Sequence, residues 1–235
     1  MTAETFVLDS PASLPAVARH PAPWQLRASA YAVLVKLPAD TSDEAWFVPP
    51  SLRGKRRSQL GIMLYVDYHS ADCGPYRELI GACASFDFGD KQMPSITRIY
   101  VSTFDSVVNG RANWGIPKDR ADFDVEATGK NSERITVRRA ARELACFELQ
   151  GRGPALPATT AMLLPAWRTV AQHWQGCEYR IVLAAKGKAR LARVVDWRFA
   201  ADLFPDFARG SVLAAVQLPA FEMTFPIATV KPIGA

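Results

Sequence analysis

Two short runs, Phe123-Asp-Val-Glu-Ala-Thr128 and Glu133-Arg-Ile-Thr-Val137, flank the tripeptide Gly129-Lys130-Asn131. Both runs have strand length, and a Gly/Asn turn between two such runs is the signature of a β-hairpin. Outward from this hairpin, most of the chain reads as strand. Upstream, Ser95–Ser102 alternates at Ile96, Arg98, Tyr100 and Ser102, and Tyr76–Phe88 alternates loosely. Leu60–Tyr68 is almost continuously apolar and aromatic, and Gln25–Leu37 is rich in Ala, Val, Leu and Tyr. Downstream, Leu144–Gln150, Tyr179–Ala185, Ala189–Arg198, Ser211–Leu218 and Phe221–Phe225 complete the set. Lys186-Gly187-Lys188 gives a second hairpin turn, and Lys186, Lys188, Arg190 and Arg193 are expected to guard a sheet edge.

Helical signals are weaker. Thr103–Asn109 predicts a short helix capped by Thr103 and stopped by Gly110, and Thr159–Leu164 and Ala200–Phe207 are further short candidates. No internal repeat or composition break divides the chain. The fold class is therefore α+β, mainly β: one domain over residues 1–235 on a closed or strongly curled antiparallel sheet. Residues 1–23 form a proline-rich amino-terminal arm.

Composition narrows the function classes. In 235 residues, 28 Lys and Arg stand against 23 Asp and Glu, a net charge of +5, and 49% of residues are apolar. That is globular composition, which excludes collagen, coiled-coil and disordered chains. No apolar run approaches the roughly 20 residues of a membrane span. The basic loop Arg53-Gly54-Lys55-Arg56-Arg57 lacks interleaved aromatics and reads as a solvated loop, so no nucleic-acid partner is expected. The amino terminus carries Glu4 and lacks a basic-then-apolar pattern, and the four cysteines contain no C-x-x-C pair. The expectation is a cytoplasmic protein with free thiols and no metal site.

No G-x-S-x-G elbow, Walker loop, G-x-G-x-x-G fingerprint or H-E-x-x-H pair is present. His20, His69 and His173 lie far apart and read as structural or surface residues. What remains is Gly110-Arg-Ala-Asn-Trp-Gly-Ile-Pro-Lys118-Asp-Arg-Ala-Asp-Phe123, where a lysine follows a stiff Ile-Pro pair between Trp114 and Phe123. Burial disfavours an ammonium, and bringing a lysine from about 10.4 to about 7 takes roughly 4.6 kcal/mol. Such an amine attacks a carbonyl and forms a Schiff base. On composition alone, the favoured reading is a lysine that snorkels from a strand end to solvent.

Two motifs add to this reading: Gly74-Pro-Tyr-Arg-Glu78 after the strand ending Tyr65-Val-Asp-Tyr-His-Ser, and Gly110-Arg111 followed after five residues by Pro117-Lys118. With their spacing, and Pro23-Trp24 upstream, the chain from about residue 20 to 225 resembles the acetoacetate decarboxylase superfamily. The resemblance implies an acetoacetate decarboxylase-like barrel or cone, with Lys118 as a Schiff-base lysine pointing into its cavity and Glu78 as general acid/base. It brings Arg111, Asn113 and Trp114 into the substrate neighbourhood. Where the family has a second lysine this chain has Asp119, and a carboxylate facing the amine would favour the ammonium. Asp119 follows Lys118 directly, so on a strand it looks to the other face. The family's pocket arginine falls on Ser29, with Arg27 two positions away, a second pocket glutamate falls on Met63, and a tyrosine falls on Ile116. The implied pocket is less charged than a decarboxylase's.

The expected function is a lyase acting on a keto acid or other carbonyl substrate, by decarboxylation or aldol/dehydration chemistry, with no cofactor. The alternative is a non-catalytic barrel of the same fold that binds a small molecule. A homo-oligomer is expected.

Overall fold

The computed structural model describes Ser10 and residues 13–39, 41–162 and 168–233. In chain order its strands begin with β1 (Trp24–Lys36), β2 (Leu60–Ser70), β3 (Tyr76–Ala82), β4 (Ser85–Asp87), β5 (Gln92–Pro94) and β6 (Arg98–Val101). Helix α1 (Phe104–Trp114) follows, then β7 (Lys118–Arg120), β8 (Asp122–Gly129), β9 (Ser132–Arg139) and β10 (Arg142–Thr159). The chain continues through β11 (Thr169–Trp174), β12 (Cys177–Val182), β13 (Ala184–Phe199), β14 (Ser211–Phe225) and β15 (Thr229–Pro232).

Ten strands form one sheet in the order β7-β6-β3-β2-β1-β14-β13-β10-β9-β8. All neighbours are antiparallel except β6 and β7. The sheet curls into a half-barrel: Tyr65 on β2 packs 6.0 Å from Phe147 on β10 and 6.4 Å from Phe123 on β8, ring centre to ring centre. Long β-branched and aromatic strands favour this, because twist accumulates over many strands.

Alternation gives the sheet two buried faces. Tyr31, Val33, Val35, Met63, Tyr65, Leu79 and Tyr100 point into the curl, the first core. The neighbouring Trp24, Leu26, Ala28, Ala30, Val66, Tyr68, Tyr76, Ile99 and Val101 form a second core on the opposite face. Val107 and Trp114 of α1 and Ile181 of β12 cover that second core. A separate sheet, β11-β12-β15, carries Ile181.

The β8–β9 hairpin forms as expected, with Gly129 opposite Ser132 and Asn131 at φ 57°, a conformation Asn tolerates. Other expectations need correction. Lys186-Gly187-Lys188 is no turn; it lies inside β13, between β10 and β14. Gly187 serves close approach, since a Cβ there would meet the Ala220 carbonyl at 2.4 Å. Lys186, Lys188, Arg190 and Arg193 are therefore in the sheet's interior, not on its edges, which are β7 and β8. Thr103 caps the helix through Ser106 N–H, but the helix runs past Gly110 to Gly115 at φ 61°. Ala200–Phe207 forms no α-helix: a turn at 201–203 leads on to a 3₁₀ turn at Phe207–Arg209, and Thr160–Met162 is also 3₁₀. Leu163 and Leu164 of that candidate helix lie outside the described residues, as do residues 1–9, 11 and 12 of the arm. Strands β5, β7, β11 and β15 went unread; β7, Lys-Asp-Arg, has no apolar pattern to read. No helix among the described residues is long and apolar enough to cross a membrane.

Candidate active site

Gly115 ends α1 and turns the chain back, and Pro117 then leads into β7 beside β6. Lys118 pairs with Ile99, and through β6, β3, β2 and β1 it shares a face with Ile80, Glu78, Val66 and Ala30. That face belongs to the second core, so the amine lies opposite the core that fills the curl. Lys118 and Glu78 are both buried, and Lys118 Nζ donates to Glu78 Oε2 at 2.7 Å and to Ser106 Oγ at 3.0 Å. The ammonium also stands 5.0 Å from the centre of the Tyr76 ring, a cation–π contact. Tyr68 OH donates to Glu78 Oε1 at 3.4 Å, and the Tyr68 and Tyr76 rings pack 4.6 Å apart with their planes tilted by 33°.

Burial, reinforced by the Glu78 carboxylate, holds the Tyr68 and Tyr76 hydroxyls well above the ordinary phenol range. Both rings thus present neutral O–H groups. Burial likewise pushes the Cys73 thiol up to about 11, with Lys118 pulling it down.

Asp119 occupies the other face of β7. Its side chain is fully buried and pairs with Arg139 at 2.9 Å, Arg98 at 3.3 Å and Arg111 at 3.7 Å. The carboxylate that replaces the family's second lysine thus turns away from the amine. Arg111 also donates through Nε to the Lys118 carbonyl at 2.8 Å, tying α1 to β7. The Gly-Arg to Pro-Lys spacing has a geometric reason: Gly110 lets the lysine stem lie against α1, and Arg111 clamps the strand that carries it.

Glu78, Lys118 and Ile116 come to one face. Trp114 packs in the same core at 4.8 Å from Trp24 and donates to the Pro226 carbonyl. The Asn113 amide donates to the His20 carbonyl, so it fastens the arm to α1. Met63 and Arg27 are not brought to the pair; they stand on the opposite face of their strands. A one-residue offset in a gapless strand comparison reverses every side chain, and Val66, Leu64 and Tyr68 are the β2 residues on the Glu78 face. Ser106, Tyr68 and Tyr76 were missed. Two signals pointed to them: Tyr76 lies two before Glu78 on one strand, and Ser106 lies four before Gly110 on one helix. No group of three or more His, Cys, Asp or Glu among the described residues is arranged to hold a metal ion.

Fold and site together define a mainly β half-barrel protein with a buried amine–carboxylate pair beside helix α1. The acetoacetate decarboxylase family model matches residues 13–230, and the chain belongs to that family. No curated protein matches the sequence. Among solved structures, acetoacetate decarboxylase from Legionella pneumophila subsp. pneumophila str. Philadelphia 1 is similar at a TM-score of 0.71 and 11% identity, over 95% of this chain and 92% of that one. An acetoacetate decarboxylase-like enzyme from Sphingomonas wittichii RW1 gives 0.68 and 14%, over 97% and 100%. The enduracididine biosynthesis enzyme MppR, complexed with the condensation product of pyruvate and imidazole 4-carboxaldehyde, gives 0.62 and 13%, over 92% of each chain. At these identities the likeness is one of fold.

Proposed function

We propose that this chain is a Schiff-base enzyme acting on a keto acid or related small carbonyl compound, with Lys118 as nucleophile and Glu78 as proton carrier. The observation that carries the reading is the 2.7 Å contact between the two buried groups. An ammonium is not a nucleophile. Passing one proton to Glu78 leaves a free amine beside a carboxylic acid, and the proton's destination is already in hydrogen-bond contact.

The amine then adds to the carbonyl carbon, Glu78 returns its proton to the carbinolamine oxygen, water leaves, and an iminium forms. The iminium accepts the electron pair of the neighbouring bond as it breaks. From a β-keto acid, carbon dioxide leaves; the enamine takes a proton at carbon, and water releases the ketone. Aldol and dehydration steps use the same iminium. Tyr68 and Tyr76 supply neutral donors beside the reacting atoms, and Ile116 supplies apolar wall. Arg111 and Asp119 act as positioning residues through β7, and Asn113 and Trp114 through α1. The fold's likeness to MppR, which has also been solved with pyruvate, supports a keto-acid substrate.

A second reading has one observation in its favour. The amine is already paired with a carboxylate, as a fixed cation in a non-catalytic binding site would be. Borohydride separates the two. Incubation with pyruvate, acetoacetate and a panel of aldehydes, followed by reduction and mass spectrometry, is expected to give an adduct on Lys118 that Lys118→Ala abolishes. Failure across the panel leaves the binding reading.

A further inference from the structure

A cleft of about 750 Å³ opens across β1, β14, β13 and β10. In register, Arg27 faces Glu222, Glu222 faces Lys186 and Lys186 faces Thr159; Ala220, Lys188 and Pro157 form the next row. These side chains alternate with Ala28 and Phe221, which point into the second core. The charged groups of the cleft therefore stand on the sheet face opposite Lys118 and Glu78. We propose that this cleft is a binding site for a small carboxylate carrying an apolar chain, separate from the Lys118–Glu78 pair.

Three observations converge on that ligand. The first is charge: Arg27, Lys186 and Lys188 line the cleft against Glu222, its one acid among the described residues. Glu222 pairs with Arg27 at 3.4 Å and Lys186 at 3.7 Å, while Lys188 has no ion-pair partner among the described residues. The second is a contiguous cleft of about 340 Å³, which shares Thr159, Lys186 and Glu222 and adds Arg168. The Arg168 Nε is buried with no hydrogen-bond partner among the described residues, and a buried donor in that state is costly until an acceptor arrives. The third is the wall: Met162, 84% exposed, and Pro157 offer apolar surface next to these cations. Glu222 disfavours a dianion such as phosphate, and the apolar wall favours a chain, which together select a monocarboxylate. The volume fits a small molecule.

The test is calorimetric titration of the full chain with octanoate, octanol and inorganic phosphate at neutral pH and low salt. The expected result is octanoate binding that exceeds octanol and phosphate and persists in Lys118→Ala. Lys188→Gln weakens it about tenfold, the scale of one charge-assisted hydrogen bond, and Met162→Asp weakens it at least as much. Both substituted side chains are surface groups, so folding is retained. The proposal is overturned if octanoate shows no binding up to about 10 mM, if phosphate binds as tightly, or if Lys118→Ala loses binding that Lys188→Gln keeps. Borohydride trapping on Lys118 is read separately, so failure of this site leaves the Schiff-base reading standing, and the reverse.

Discussion

Gly110 and Lys118 are held so close that a Cβ on the glycine would stand 2.6 Å from the lysine Cδ and 2.8 Å from its Cε. The backbone of α1 is thus the wall along which the lysine stem reaches Glu78. An alanine at this point gains roughly 1 kcal/mol of helix propensity but pushes the stem away from α1. Gly110→Ala is expected to keep the wild-type circular dichroism spectrum while borohydride-trapped adduct on Lys118 falls at least about tenfold, because a displacement near 1 Å is that costly to a reacting group. Undiminished trapping would show that the stem's path does not set the amine.

Asp119 is the fixed point behind the same strand. It balances Arg98, Arg111 and Arg139 with no exposed surface of its own. Removing one member of a buried ion cluster leaves the others uncompensated and costs about 3–5 kcal/mol. Asp119→Asn is expected to lower stability on that scale in urea denaturation at neutral pH. A change below about 1 kcal/mol would mean that the cluster behaves like surface pairs.

Much of this fold is legible in the sequence because strands announce themselves by period. The β8–β9 hairpin, β1 and β2 follow directly from apolar runs and turn residues. Glycine was the difficulty. At Gly110 and Gly187 it marks close approach, of a lysine stem in one case and of the Ala220–Phe221 backbone in the other. Local sequence reads either as a break, because the neighbour that needs the space is distant in the chain. The Lys118–Glu78 pair came from motif likeness, whereas Ser106 and the tyrosines required tertiary placement.

Alkaline pH tests the buried thiols. Burial pushes Cys83 up to about 12 and Cys73 up to about 11, against a pull from Thr97 on the first and Lys118 on the second. Below the ordinary thiol range, about pH 8.5, folded and unfolded chains both hold these protons and stability is intact. Above it the unfolded chain releases them first, so stability falls as pH rises toward the folded-state values. By about pH 10.5 the loss from the fully buried Cys83 is on the order of 2–3 kcal/mol. Urea midpoints at about pH 7.5 and about pH 10.5 should converge in Cys83→Ala relative to wild type. An equal alkaline loss in both proteins would exclude Cys83 as a source.

Met63 separates the two faces of the sheet. It is fully buried in the first core, opposite Val33 and Gly81, while Glu78 and Lys118 occupy the second. Shortening a buried methionine to alanine removes transfer energy and leaves a void, a cost of about 2–5 kcal/mol. If the faces are assigned correctly, Met63→Ala lowers the urea midpoint by that amount yet leaves trapping on Lys118 unchanged under conditions where the variant is folded. Val66→Ala shortens a residue on the Glu78 face and is expected to alter trapping with a smaller loss of stability. The reverse pattern, with trapping sensitive to Met63 and indifferent to Val66, would put the amine inside the curl and reverse the register-based assignment of the site.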